Sequence, residues 1–461
     1  MNITKTIETI FKRYLPSPFT IAVLLTLITI VLALFFTEAP KSESHLLAIL
    51  SFWETGVWSK GLLVFAYQMM LILVLGHVLV LSKPVNRLIT DLSKNVTNTS
   101  TAVILVSVTT MIAAFCNWGL GLIYGAILAR KVGEYAQENN ILLNYPLVGT
   151  SGYVGLMVWH GGISGSAPIK VAEQNHVREF MGDISSTNLI NQIPESITFN
   201  TTIFSWWNLV LFGVLLVVIP FVLTRIAKVT KPKTIHLETY NFNDSNAKDI
   251  EGGEKLDHSR YFGVGFGIVL LVTFFYQYWG ALTELAITPN MLNFFMLGLA
   301  VVLHKNFNNF LKAVEEAIKG TSGILIQFPL YFGIMGIMKS TGMVVSISDF
   351  FVSVANETTL PIFTFISAGI VNVFVPSGGG QWAIQGPIVV ESALKLGVPL
   401  PKAIMALAYG DQITNMLQPF WALPLLGITK LKAKEILPYT LILMCVGIVV
   451  YILGLLLLKI N

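Results

Sequence analysis

Long apolar stretches recur along the chain, separated by short polar segments. A helix of about 20 apolar residues crosses the roughly 30 Å of hydrocarbon in a bilayer. The pattern predicts about nine transmembrane helices, at approximately 19–37, 61–81, 147–167, 203–225, 261–282, 290–304, 321–339, 403–428 and 436–459. The predicted fold class is therefore an all-α polytopic membrane protein.

Two further apolar stretches are too long for one span and are interrupted in the middle. The stretch at about 101–131 breaks at Cys116-Asn117-Trp118-Gly119, and the stretch at about 361–394 breaks at Pro376-Ser377-Gly378-Gly379-Gly380-Gln381. Proline removes a backbone donor and glycine raises the entropic cost of a helix. Each stretch therefore predicts two half-helices joined by a polar tip, which is a re-entrant hairpin.

Composition and charge agree with a membrane location. Hydrophobic residues make up 54% of the chain and charged residues only 12%, whereas a soluble domain has roughly 25% charged residues. With both broken stretches treated as hairpins, most of the 29 Lys and Arg residues fall on the side of the N-terminus. The positive-inside rule then predicts a multi-pass membrane protein with a cytoplasmic N-terminus.

The two halves of the chain resemble each other in their pattern of breaks. Gln68 precedes the first broken stretch and Gln327 precedes the second, and the matched segments cross the predicted membrane in opposite directions. This is an inverted-topology repeat, in which binding occurs near the midplane where broken helices meet. The predicted parts are a first repeat half, a cytoplasmic polar linker, a connecting span and a second repeat half, at 1–225, 226–260, 261–289 and 290–461.

The two predicted tips are candidates for substrate binding. Backbone N–H groups at the start of a helix bind anions such as carboxylates, and Gly378, Gly379 and Gly380 let a ligand approach closely. Small residues also serve packing between membrane helices, but the polar neighbours favour a ligand site. The predicted substrate-binding residues are Asn117, Trp118, Gly119, Ser164, Ser166, Ser377, Gly378, Gly379, Gly380, Gln381, Gln385 and Asn415.

Asp411 is the candidate for ion coupling. It lies about eight residues into its predicted span, roughly 12 Å deep at 1.5 Å per residue. A carboxylate at such a depth costs about 2.5–3.5 kcal/mol, so it is expected to be protonated, paired or bound to a cation. We interpret Asp411, with Thr414, as the coupling site for H⁺ or Na⁺; the alternative is a structural cap on a neighbouring helix break. His160 is expected to bond a neighbouring helix.

The sequence also excludes several function classes. It contains no Walker-type motif, no cluster with metal-ligand spacing and no Arg at predicted membrane depth. We therefore expect no enzyme activity, no metal site, no nucleic-acid partner and no cofactor other than a bound Na⁺. A dianion usually calls for an Arg fork, so a small monocarboxylate is the favoured substrate. A homo-oligomer is compatible with the sequence.

Four runs of sequence carry a family resemblance: NWGLGLIYGA at 117–126, WHGGISGSAP at 159–168, VPSGGGQWAIQGP at 375–387 and AYGDQITNMLQPFWALP at 408–424. With them the chain resembles the bacterial short-chain fatty acid transporters of the AtoE type. The resemblance implies secondary active uptake of monocarboxylates such as butyrate or acetoacetate across the bacterial inner (plasma) membrane.

The resemblance also implies kinship with the ion-transporter superfamily, whose members hold substrate and Na⁺ between two hairpin tips. The tips here lack that superfamily's Ser-Asn-Thr signature, which leaves H⁺ and Na⁺ symport both open. The alternatives are a carrier of dicarboxylates or another small organic anion on the same fold, or a passive anion channel.

Overall fold

The computed structural model describes residues 3–38, 44–181, 192–232, 236–237, 252–283 and 288–458, and these residues form helices and connecting segments without a β-strand. The predicted all-α fold is therefore confirmed. Residues 233–235 and 238–251 of the predicted linker at 226–260 lie outside the described residues. The division of the chain into two halves stays a prediction.

The described helices are numbered here in chain order. The first half of the chain contains α1 (Ile3–Tyr14), α2 (Pro18–Phe36), α3 (His45–Val57), α4 (Lys60–Leu81), α5 (Lys83–Ser93), α6 (Thr99–Cys116), α7 (Trp118–Glu138), α8 (Tyr145–Ser151), α9 (Ser166–Ala172), α10 (His176–Met181) and α11 (Trp206–Val229).

The second half contains α12 (Glu254–His258), α13 (Arg260–Thr283), α14 (Pro289–His304), α15 (Phe307–Ala317), α16 (Ser322–Ser340), α17 (Met343–Ser353), α18 (Leu360–Phe374), α19 (Gly378–Leu396), α20 (Leu400–Thr414), α21 (Pro419–Thr429) and α22 (Ala433–Leu457). Short 3₁₀ turns lie at Val154–Met157, Ile318–Gly320 and Asn415–Leu417.

Seven of the described helices are long and apolar enough to cross a membrane: α2, α4, α6, α11, α13, α16 and α22. Only 17% of the apolar window of α13 and 22% of that of α2 is buried within the protein. Helices whose apolar residues face outward in this way are stable where lipid covers them. The molecule is therefore built as a multi-pass membrane protein.

Both predicted interruptions are present as breaks between helices. Asn117 separates α6 from α7, and its side chain accepts a hydrogen bond from the N–H of Leu120 at 3.0 Å. Ser377 begins α19 in the same manner, accepting from the N–H of Gly380 at 3.2 Å. Each break thus ends at a polar residue that caps the next helix. That the paired helices are re-entrant hairpins stays a prediction.

The two helices that meet at Asn117 are longer than half-helices, with 18 and 21 residues. The predicted stretch ends near 131, but α7 continues to Glu138 over 21 residues. Arg130 and Lys131 each bond Glu134 at 2.7 Å, one turn further along. Charge pairs at this spacing support a helix where the apolar pattern has ended, which explains why the hydrophobic pattern alone placed the end of α7 too early.

Two spans predicted as continuous helices are discontinuous, so those predictions were wrong. The stretch at 147–167 consists of α8, a 3₁₀ turn, irregular backbone at 158–165 and the start of α9. The stretch at 403–428 consists of α20, a 3₁₀ turn and α21, with extended backbone at Gln418 before Pro419. A residue before proline is driven out of the helical region, and the glycines at 161, 162 and 165 favour irregular backbone in the first stretch.

Helices of the two halves pack against each other in a reciprocal pattern. The first-half helix α3 packs on α16, with glycines at the contact: a side chain at Gly56 would strike the backbone of Phe332, and one at Gly336 the backbone of Phe52. The second-half helix α14 packs on α4, where Gln68 donates to Asn290 at 2.8 Å. The apolar pattern missed α3, because its 13 residues are too few for a span.

Candidate functional site

The irregular segment at 158–165 lies between the two helix breaks. The backbone N–H of Trp118, the first residue of α7, donates to the Ser164 hydroxyl at 2.8 Å. At the start of α19, a methyl group on Gly378 would come within 2.8 Å of the His160 ring and 3.2 Å of the Ser166 hydroxyl. The structure thus brings predicted site residues from both breaks to the same segment.

A histidine and an aspartate join this segment to α20. The side chains of His160 and Asp411 are 0% and 1% exposed, and His160 Nδ1 is hydrogen-bonded to Asp411 Oδ2. The backbone N–H of Ala167 donates to His160 Nε2 at 3.1 Å. Because Nε2 accepts, the proton of the neutral ring lies on Nδ1, and the ring donates to the carboxylate. The expected bond from His160 to a neighbouring helix is confirmed.

Amide and phenol side chains hold the segment in place. Gln412 Oε1 accepts from the N–H groups of His160 and Gly161 at 2.8 and 3.2 Å. Gln412 Nε2 donates to the Tyr451 hydroxyl at 2.7 Å, and that hydroxyl donates to the carbonyl of Met157 at 2.8 Å. The irregular backbone is therefore bonded to α20 and α22, as polar backbone buried in a membrane protein must be.

Asn372 of α18 supports the break between α20 and α21. Its amide nitrogen lies 2.6 Å from the carbonyl of Asp411, 2.9 Å from the Thr414 hydroxyl and 2.8 Å from Asn415 Oδ1. Gln418 donates to the carbonyl of Asn372 from the far side of the break. Sequence reasoning missed Asn372, although a lone amide inside the apolar run of α18 is the signal that identifies it.

Gln381 and Gln385 bind neighbouring helices. Gln381 Nε2 donates to the carbonyl of Ala368 at 2.8 Å and to Gln385 Oε1 at 2.7 Å. Gln385 Nε2 donates to the Ser348 hydroxyl on α17 at 2.7 Å. Both side chains are buried and position α19 against α18 and α17. That they also contact a substrate stays a prediction.

Several buried oxygens around these helices accept no hydrogen bond from the described residues. They are Asn372 Oδ1, Gln381 Oε1, Asp411 Oδ1 and Gln418 Oε1. A buried acceptor without a donor costs about 1–3 kcal/mol. These oxygens lie on α18, on α19 and at the α20–α21 break, where Asn415 Nδ2 is likewise without a partner among the described residues.

Aromatic rings form a wall beside the polar segment. Trp118 lies 5.3 Å from Trp421, 6.1 Å from Trp159 and 6.2 Å from Phe65 between ring centroids. The Trp159 ring also stacks on His160 at 4.5 Å. Trp118 therefore packs inside the protein among other rings, unlike a tryptophan that anchors a helix at the membrane interface.

The chain is similar to known proteins over almost its whole length. The family model described as short chain fatty acid transporter matches residues 1–458. A protein of Escherichia coli (strain K12) named for short-chain fatty acid transport is 36% identical over 454 residues, which is 96% of this chain and 96% of that protein. A Haemophilus influenzae protein with the same description is 33% identical over 464 residues, covering 98% and 99% of the two chains.

Two solved transporter structures are similar over most of their length. Neisseria gonorrhoeae MtrF, described as one of a class of antimetabolite efflux pumps, has 14% identity and a TM-score of 0.40, with 99% of this chain and 98% of that one covered. The Alcanivorax borkumensis YdaH transporter has 13% identity and a TM-score of 0.43, with 95% and 98% covered.

Proposed function

This chain belongs to the short-chain fatty acid transporter family, and we propose that it is a secondary active carrier of small monocarboxylates such as butyrate or acetoacetate. It acts by symport with H⁺ or Na⁺ across the bacterial inner membrane, with its N-terminus in the cytoplasm. It is a carrier and not an enzyme. The observation that carries the proposal is the buried His160–Asp411 pair, which lies between the starts of α7 and α19.

The charge of this pair is the reason for symport. With the His160 proton on Nδ1, an ionised Asp411 leaves one negative charge in a buried site. A bound carboxylate would add a second negative charge, and two like charges in a medium of low dielectric constant repel strongly. A proton on Asp411, or a Na⁺ beside it, removes the repulsion. Binding of the anion therefore favours binding of the cation, which is the thermodynamic basis of symport.

The start of α19 is the proposed position of the substrate carboxylate. The first N–H groups of a helix have no acceptor within it, and here they belong to Gly378 and Gly379, which have no side chains to block an anion. Ser164 and Ser166 lie on the facing segment. The acyl chain would lie against the aromatic wall of Trp118, Trp159 and Trp421, where burial of each CH₂ contributes about 0.8 kcal/mol.

The reciprocal packing of α3 on α16 and of α14 on α4 supports the proposed inverted repeat. In such a repeat, equivalent helices of the two halves make equivalent contacts. Alternating access then follows from movement of one helix group against the other around the site. A dicarboxylate carrier on the same fold is the nearest alternative, but none of the site residues described above is an Arg or a Lys that would pair a second carboxylate.

Transport into proteoliposomes tests the proposal. Purified protein is reconstituted, and uptake of labelled butyrate is followed with a pH gradient and a Na⁺ gradient imposed separately. We expect accumulation above the external concentration under one of the two gradients. Equilibration without accumulation would identify a passive channel, and uptake of succinate in preference to butyrate would identify a dicarboxylate carrier.

A further inference from the structure

A polar cavity lies away from the site described above. It has a volume of about 650 Å³ and is lined by the ends of α4, α7 and α21 and the segment after α15. Both α7 and α21 begin at the substrate site and end at this cavity. From Trp118 to Arg130 the distance along α7 is about 18 Å at 1.5 Å per residue. The cavity therefore lies on the side that the positive-inside rule predicts to be cytoplasmic.

Cations exceed carboxylates among the charged residues that line this cavity. The cations are Arg130, Lys131, Lys319 and Lys430, and the carboxylates are Glu134, Glu138 and Glu316. Glu134 bonds both Arg130 and Lys131 at 2.7 Å. Glu316 bonds Lys319 at 2.5 Å. Two of the three carboxylates are thus already occupied by cations of the same wall.

Lys430 is the cation of this wall that makes no ion pair within the described part of the chain. It ends α21 with a φ of 60°, in the left-handed conformation. Glycine or asparagine is usual at this position of a helix end. A bulky residue in a strained conformation at the wall of a cavity points to a role for its side chain.

We propose that this cavity is an inner vestibule with its own low-affinity site for small carboxylates, in which Lys430 is the anion-binding group. Charged walls of one sign focus the field within a cavity and raise the local concentration of the opposite ion. The vestibule would hold the anion on the cytoplasmic side of the substrate site. That the anion is butyrate rests on the proposed function.

Cysteine reactivity measures the charge of the cavity directly. Cys116→Ser and Cys445→Ser remove the native thiols, and Glu138→Cys introduces one at an exposed position in the cavity wall. The rates of modification by an anionic and a cationic methanethiosulfonate reagent are compared with those at Ser353→Cys, on the exposed end of α17. We expect the anionic reagent to be favoured at position 138.

Lys430→Gln should lower the ratio of anionic to cationic rate several-fold, since a unit charge at about 8 Å in water changes each rate two- to threefold in opposite directions. Lys434→Gln, an equal charge change outside the cavity wall, should leave the ratio unchanged. Lys430→Gly relieves the strained backbone, so the same drop in that variant excludes misfolding as the cause.

Butyrate should slow the anionic reagent at position 138, while butanol or an equal concentration of sodium chloride should not. The vestibule site is wrong if Lys430→Gln leaves the ratio of anionic to cationic modification rates unchanged. It is also wrong if butyrate and chloride slow the anionic reagent equally. If the protein takes up no butyrate but butyrate still slows modification at position 138, the proposed function is wrong and the vestibule site stands. If uptake is normal but butyrate does not slow the modification, the proposed function stands and the vestibule site is wrong.

Discussion

His160 and Asp411 are 251 positions apart in the chain and are joined by a buried hydrogen bond. The bond links the irregular segment after α8 to the last turn of α20, the two places where predicted spans are discontinuous. It therefore couples the two broken segments through a pair of buried side chains. A change of charge at Asp411 would act on both segments at once.

Gly378→Ala should impair transport because its methyl group would lie 2.8 Å from both His160 Cε1 and Trp159. Overpacking of this kind costs about 1–3 kcal/mol, so we expect a melting temperature several degrees lower and uptake reduced at least about fivefold. Gly379→Ala is the matched control for the loss of stability alone, since its nearest neighbour would be Ser166 at 3.9 Å. Equal stability of the two variants in a detergent melt would contradict the described packing.

Asn372→Ala should destabilise the α20–α21 break. The substitution leaves the carbonyl of Asp411 and the Thr414 and Asn415 side chains without the amide they bond. Loss of a buried donor costs about 1–3 kcal/mol for each group left unpaired. Ser367→Ala on the same helix removes a hydroxyl that bonds only its own helix, and it should cost far less. Thermal unfolding followed by circular dichroism would show whether the two variants differ.

The pH dependence of stability should include a contribution from His176. Trp382 Nε1 donates to His176 Nε2 at 3.3 Å, and burial lowers the pKa of His176 below 6.5, with a smaller opposing effect of Glu173. Because the pKa of His176 is lower in the folded state, the unfolded state binds more protons between that pKa and 6.5. The stabilisation from neutral His176 is complete above pH 6.5 and is lost as the pH falls through the pKa of the folded state.

His176→Gln keeps an acceptor for Trp382 and removes the titration. The fall in melting temperature between pH 7.5 and 5.5 should therefore be smaller in this variant than in the wild-type protein. An identical fall in both proteins would show that the bond does not respond to protonation of His176.

The sequence predicted the helical fold and both helix breaks because these follow from local properties. Length and hydropathy identify spans, and Asn117 and Ser377 interrupt apolar runs where a capping residue is needed. The predicted continuous spans at 147–167 and 403–428 were wrong, because average hydropathy does not detect the glycines around His160 or the proline after Gln418. Helix α3 was missed because its 13 residues are stabilised by packing on α16, which hydropathy does not report.

Part of the predicted arrangement is present in the structure. Trp118 bonds Ser164, and Gly378 lies beside Ser166, as expected if the two breaks meet in one place. That these residues bind a substrate stays a prediction. The pairing of His160 with Asp411 and the support from Asn372 depend on contacts between residues far apart in sequence. Such contacts arise from the packing of α18, α20 and the segment at 158–165, and a single sequence carries no direct signal for them.

The most direct test of the account is transport by Asp411→Asn. An asparagine keeps an oxygen to accept from His160 Nδ1–H but cannot carry a charge. We predict that this variant exchanges labelled butyrate across the proteoliposome membrane but no longer accumulates it under a pH or Na⁺ gradient. Asp349→Asn, on the exposed face of α17, should accumulate butyrate as the wild-type protein does. Gradient-driven accumulation by Asp411→Asn at the wild-type level would contradict coupling at this residue.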